Sequence, residues 1–302
     1  MSEIEDLLQK TSRTFALTIP FLPQPTRSEV ELAYLLFRVI DTFEDARLWK
    51  PQRRIDTLRR FGDLLEREPA ASEALAAECA AEPPVTHEGY LELLAKMPFV
   101  LGSFASLRAP ARACIRKHVV RSAERMVGWV RRCDTDGKLV LLTLDDLSDY
   151  CYSVAGIVGE MLTELYLLGR PELDPIATEL RACAPDFGEG LQLVNILKDA
   201  QRDEEEGRTY LPRLAKLEDV FALAEQDLLT ASRYVECLRG VGAESGLVAF
   251  NAVISKLAIA NLEILSTRGL GAKLSRLDVA RIQAEVLSSV EETGSPLADL
   301  RE

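Results

Sequence analysis

Two narrow polar stripes, each set along an otherwise apolar helical run and each ending in a pair of aspartates, constrain this chain more than any other feature. Tyr34, Arg38, Asp41 and Asp45 follow the spacing i, i+4, i+7, i+11, and Gln192, Asn195, Asp199 and Asp203 follow i, i+3, i+7, i+11. That spacing puts each set on one face of an α-helix. A solvated helix face is polar over a wider arc and richer in Lys and Glu, so stripes this narrow read as groups pointing into a cavity. Carboxylates left unpaired beside apolar surface are costly. Two aspartates one turn apart, occurring twice, therefore read as a divalent-metal and diphosphate site. Arg38, Lys198, Arg202 and Arg208 add cations suited to phosphate oxygens. The alternative for any single stripe is an inter-helix hydrogen-bond network with exposed carboxylates at its end; two matching stripes favour the cavity.

The rest of the chain reads as helix. Ser2 with Glu5 and Thr26 with Glu29 fit capping boxes, and the second opens the apolar run that ends at Asp45. Further helices are expected over 52–66, 112–132, 143–168, 187–204, 219–239, 247–266 and 277–292. Gly169 and Pro171 mark one helix end, the 134–137 stretch is a turn, and the Ala-rich stretch before Pro83-Pro84 is a connection. Hydrophobic residues make up 47% of the chain and aromatics only 6%, a balance that favours packed helices over a β-sandwich. No repeat or linker divides it. The expectation is one all-α domain over residues 1–302, large enough to enclose a central apolar cavity.

Charge and cysteine use exclude other classes. With a net charge of −12 and a pI near 4.9, a nucleic-acid partner is disfavoured. The six cysteines include no C-x-x-C pair and read as reduced thiols of a cytoplasmic protein. No run of 18 or more apolar residues marks a membrane span, so the chain reads as soluble or peripheral to a membrane. The two histidines, His87 and His118, lack metal-ligand spacing, and no P-loop or dinucleotide fingerprint is present. Gly156 and Gly159 fall inside an expected helix. Each costs roughly 1 kcal/mol there relative to Ala, which close approach of a substrate chain or of another helix would offset.

Four co-linear segments carry a family resemblance. Ser12-Arg13-Thr14-Phe15 looks like the N-terminal Ser-x-Ser-Phe element of the squalene/phytoene synthases, with Thr14 in place of the second Ser. Residues 34–45 resemble that family's first aspartate-rich motif, in its squalene synthase form. Residues 150–160, Tyr150 through Glu160, are similar to its central signature, and closely so to the bacterial dehydrosqualene synthase version. Residues 191–212 look like its second aspartate-rich motif. The resemblance spans about 10–290 in the same order.

What it implies is specific. The fold would be the isoprenoid synthase type, and the reaction the head-to-head joining of two farnesyl diphosphates through presqualene diphosphate to squalene. Dehydrosqualene and phytoene synthesis, which need no NADPH, are the alternatives; a catalytically silent relative acting as a binding or assembly protein is another. A cyclase acting on one diphosphate would share the metal logic without needing the Tyr150–Gly159 signature. The resemblance assigns a Mg²⁺ cluster, with Mn²⁺ as a substitute, to Asp41, Asp45, Asp199 and Asp203, with Glu44 and Asn195 as helpers. It assigns diphosphate contacts to Ser12, Tyr34, Arg38, Gln192, Lys198 and Arg208. Tyr150 would face the reacting carbons as proton acceptor or cation stabiliser. Lys273 and Arg276 would hold an NADPH phosphate. Lys198 stands where the family usually has Arg, and so loses the bidentate fork. The partner expected is farnesyl diphosphate, bound by a monomer, with a greasy product exit near 15–22 that touches a membrane peripherally.

Overall fold

The computed structural model describes residues 2–12, 14–66, 70–134, 137–205 and 209–292. Every regular element among them is helical. The backbone groups into two compact units, Met1–Ile19 with Gln24–Gly137, and Pro20–Pro23 with Lys138–Glu302.

The first unit holds α1 (Glu3–Thr11), α2 (Thr14–Thr18), α3 (Thr26–Glu44), α4 (Pro51–Glu66), α5 (Ala70–Ala81), α6 (Glu88–Ala95), α7 (Met97–Ala105) and α8 (Ala109–Arg131). The Ser2/Glu5 capping box forms as the sequence predicts: Glu5 N–H donates to Ser2 Oγ at 3.2 Å and Ser2 N–H to Glu5 Oε2 at 2.8 Å. The Thr26/Glu29 box does not. Pro25 takes the N-cap position without a side-chain bond, and Glu29 is buried in an ion pair with Arg108. A carboxylate 1% exposed gains more from a guanidinium than from a helix cap. The Ala-rich connection is also corrected, because it is helix α5. Alanine has the best helix propensity, and Leu75 and Cys79 bury one side of it. α3 carries the core of this unit, with Leu35, Leu36, Val39, Ile40 and Phe43 fully buried and α4 and α8 packed against it. Each such side chain stabilises by about 1.5–3 kcal/mol.

The second unit holds α9 (Leu144–Cys151), a π-turn (Tyr152–Gly156), α10 (Ile157–Leu167), a 3₁₀ turn (Pro171–Ile176), α11 (Ala177–Glu205), α12 (Leu217–Gly240), α13 (Ser245–Arg268) and α14 (Arg276–Glu292). The expected long helix at 143–168 is present, and Gly169 ends it at φ +78°, but the π-turn interrupts it. α11 begins ten residues before the expected Phe187 and runs through Pro185. Proline removes one helical hydrogen bond there, and burial of Leu180, Cys183 and Ala184 offsets the loss. α11 is the spine of the unit and packs on α10, α12, α13 and the π-turn.

Helix separation along that spine is set by two glycines. A Cβ at Gly159 would fall on the Ala184 carbonyl oxygen, and one at Gly188 on the Ala155 carbonyl oxygen. The close approach foreseen for residues 156–159 is therefore that of another helix, α11. α13 is long and apolar enough to cross a membrane, yet 67% of that stretch is buried inside the fold, the pattern of a core helix. All six cysteines are free thiols, four of them buried.

Candidate active site

In the first unit, α3 presents its stripe toward the end of α1. Tyr34 Oη donates to the Thr11 carbonyl at 2.9 Å and accepts from Arg38 Nη2 at 3.0 Å. Arg38 Nη1 lies 3.5 Å from Asp41 Oδ2, and its guanidinium stands over the Tyr90 ring of α6, 5.4 Å from the centroid. Burial disfavours the Arg38 cation, but Tyr34, Asp41 and Tyr90 outweigh it and raise its pKa. Burial also pushes the Asp41 carboxyl up to about 6 against the pull of Arg38, and Asp45 adds to the rise. Arg38 and Asp41 nonetheless keep 27% and 29% of their side-chain surface open, so a ligand can reach both. Ser12 caps the end of α1, where its Oγ accepts from Phe15 N–H at 3.0 Å, and Phe15 packs against Tyr34. Glu44, expected as a helper, is instead buried and paired with Arg54, at 3.8 Å.

In the second unit, α11 carries the other stripe. Lys198 Nζ donates to Asn195 Oδ1 at 2.6 Å, and Lys273 Nζ reaches Asp199 Oδ1 at 2.8 Å. Asp203 is 7% exposed and lines a pocket of about 200 Å³ with Ile196, Ala200, Tyr210 and Leu270. Tyr150, buried at the end of α9, stacks on Tyr210 with ring centroids 5.4 Å apart. Arg276 is exposed at the head of α14. Arg208, named from the sequence, lies outside the described residues. The oxygen donors on the two stripes are four carboxylates, two amides and a phenol, with no thiol or imidazole. Hard oxygen sets of that kind suit Mg²⁺ or Mn²⁺ and not a soft ion.

Sequence reasoning missed four contributors. Tyr90 sits under Arg38, and Tyr210 against Tyr150. The other two are carboxyls deep in the second unit. Glu189, one turn before Gln192 on α11, accepts from Ser148 Oγ at 2.9 Å and is 8% exposed. Asp227 of α12 is 5% exposed, and its Oδ2 has no hydrogen-bond partner. Burial pushes each carboxyl up to about 7, with Asp186 adding to both, Asp149 to Glu189, and Glu189 to Asp227. Both are thus held more readily neutral in the fold than in the unfolded chain. Their contribution is fully present below the ordinary carboxyl range and is lost as pH rises toward 7. Glu189→Gln keeps a partner for Ser148 and removes the titration. In thermal unfolding followed by circular dichroism it raises Tm by roughly 3–6 °C near pH 8 and by about 1 °C or less near pH 4.5. An equal shift at both pH values would refute the burial argument.

Each unit thus carries one acidic stripe on an all-α scaffold. The solved structure of TcSQS with a ligand superposes with a TM-score of 0.76 at 24% identity, covering 99% of this chain and 92% of its own, which shows the shared fold. The squalene synthase of Schizosaccharomyces pombe is 28% identical over 207 residues, 68% of this chain and 43% of its own length. That of Rattus norvegicus is 31% identical over 219 residues, 70% of this chain and 48% of its own. The chain spans about half the length of the curated relatives it matches. Residues 8–249 match the squalene/phytoene synthase family, and the chain belongs to that family.

Proposed function

We propose that this protein is a prenyltransferase that joins two farnesyl diphosphates head to head, through presqualene diphosphate, and reduces the product to squalene. The observation that carries this reading is the Tyr150 segment. A buried phenol ends α9, stacks on Tyr210, and continues through a π-turn into a helix fastened to α11 by glycine contacts. Diphosphate ionisation alone would need only the acidic stripes.

The roles follow from the side chains. Arg38, braced by Tyr34 and Tyr90, meets a diphosphate as a permanently charged donor. Asp41 and Asp45 on α3, and Asp199 and Asp203 on α11 with Asn195, would hold Mg²⁺. When bound, the metal neutralises the departing diphosphate and so favours carbon–oxygen cleavage. Lys198, tied to Asn195, adds one positive charge beside the second stripe. The second substrate's double bond attacks the allylic cation, and a proton leaves to close the cyclopropane ring. Tyr150 serves that stage as proton acceptor or as the π-face that steadies the cation. The apolar walls keep water from the cations. Loss of the remaining diphosphate from presqualene diphosphate would give a second cation, and NADPH would supply the hydride that ends it, its phosphate held by Arg276 together with Lys273 once that lysine leaves Asp199.

Dehydrosqualene formation is the second reading, favoured by the form of residues 150–160. Purified protein incubated anaerobically with farnesyl diphosphate and Mg²⁺ is expected to release squalene with NADPH and to stop at presqualene diphosphate without it. A final C30 hydrocarbon formed equally without NADPH would overturn the reductive half. A C40 product from geranylgeranyl diphosphate would move the assignment to phytoene synthesis.

A further inference from the structure

The segment after α13 lies along the last turns of α11 and brings a cation of the protein's own to the second acidic motif. Gly269 and Gly271, at φ +90° and +82°, turn the backbone back. Gly271 sits so close to Gln201 that a Cβ there would lie 2.5 Å from its Oε1. Leu270 closes the pocket that Asp203 lines. Lys273 follows and places Nζ 2.8 Å from Asp199 Oδ1, from a position 74 residues away in sequence. The lysine side chain is 50% exposed and the aspartate 23%. An ion pair that open shifts an equilibrium by no more than about fivefold, enough to compete with a weakly held ion and too little to resist a tightly held one.

The geometry points to Lys273 as a resident counter-ion of Asp199: its ammonium neutralises the second acidic motif while no metal is there and must be displaced when a divalent ion binds. The inference rests on the metal reading of the α11 stripe. It makes Lys273 a positioning residue with two stations, Asp199 when no metal is bound and solvent or a ligand phosphate when one is. Free metal is thereby disfavoured relative to metal that arrives with a diphosphate, because a diphosphate gives the released ammonium a new partner. Segment 269–273 supplies the reach, and its contact with Gln201 keeps the lysine over the motif.

The test is Mn²⁺ binding to the full chain, read by electron paramagnetic resonance without any diphosphate, for wild type, Lys273→Met, Asp199→Asn and the double variant. Lys273 is exposed, so its replacement leaves the fold intact. Lys273→Met is expected to tighten Mn²⁺ by about threefold to fivefold, and this gain should vanish in the Asp199→Asn background. Unchanged or weaker binding in Lys273→Met, with Asp199→Asn still weakened, overturns the counter-ion role alone. If Asp199→Asn binds Mn²⁺ as well as wild type, the metal reading of the stripe itself fails.

Discussion

Asp199→Ala and Asp41→Ala each lower turnover of farnesyl diphosphate by at least about a thousandfold while leaving the protein folded. The separation of activity from stability follows from the surroundings. Among the described residues Asp199 makes an open ion pair with Lys273, whose loss costs little. Asp41 is a carboxyl that burial disfavours as an anion, which offsets the loss of its pair with Arg38, and Arg38 keeps Tyr34 and Tyr90. Neither contributes to the core, and under the proposed function each supplies a charge to a diphosphate-bound metal. Steady-state kinetics beside thermal unfolding of the same preparations reads both effects. Near-normal turnover in either variant would remove that stripe from the chemistry. A collapse of folding would mean that the aspartate is structural.

Gly188→Ala should lower Tm by about 10 °C or more, through a loss of roughly 3 kcal/mol or beyond. An alanine in a helix ordinarily gains up to about 1 kcal/mol over glycine, so the sign is the informative part. The added Cβ would meet the backbone oxygen of Ala155 and the Cα of Gly156, and no side chain can turn aside to admit it. α11 must separate from the π-turn or stay unpacked. Gly159→Ala meets the Ala184 carbonyl in the same way. Gly128→Ala on α8, where nothing lies within 4 Å, serves as the control and is expected to stabilise slightly. If Gly188→Ala melted at or above wild type, the close helix contact would not exist in solution.

The stripes were legible because both follow the helical period without interruption, and period is the one structural quantity that a sequence states directly. The end of α10 was legible for a related reason, since Gly169 and Pro171 punctuate it, whereas the start of α11 was not. Three helices between residues 70 and 105 were not. Pro83-Pro84 draws attention to a break, and alanine-rich α5 shows little apolar periodicity to set against it. Glu189 could have been read as a continuation of the Gln192 stripe, but only its 8% exposure distinguishes it from an ordinary helix charge. Tyr90 beneath Arg38 and Lys273 on Asp199 are contacts between residues far apart in the chain, which local pattern cannot supply. Glu29 shows the reverse failure. Its local pattern is a good cap, but its buried carboxylate pairs instead with the guanidinium of Arg108, far away in sequence.

The π-turn at 152–156 has a consequence for how this region can vary. An α-helix advances about 100° per residue, so Tyr150 and Gly159, nine positions apart, would stand on nearly opposite sides of an unbroken one. The wider turn absorbs one residue and brings them within about 80° of each other, the phenol against Tyr210 and the glycine against α11. Phase, and not the identity of any side chain between them, is what joins these two tasks. Substitutions at Val154 or Ala155 can be absorbed, and so can the loss of one residue there, which would leave a regular helix with the two positions still about 80° apart; straightening the turn without that loss would swing Tyr150 out of step with the glycine that anchors it.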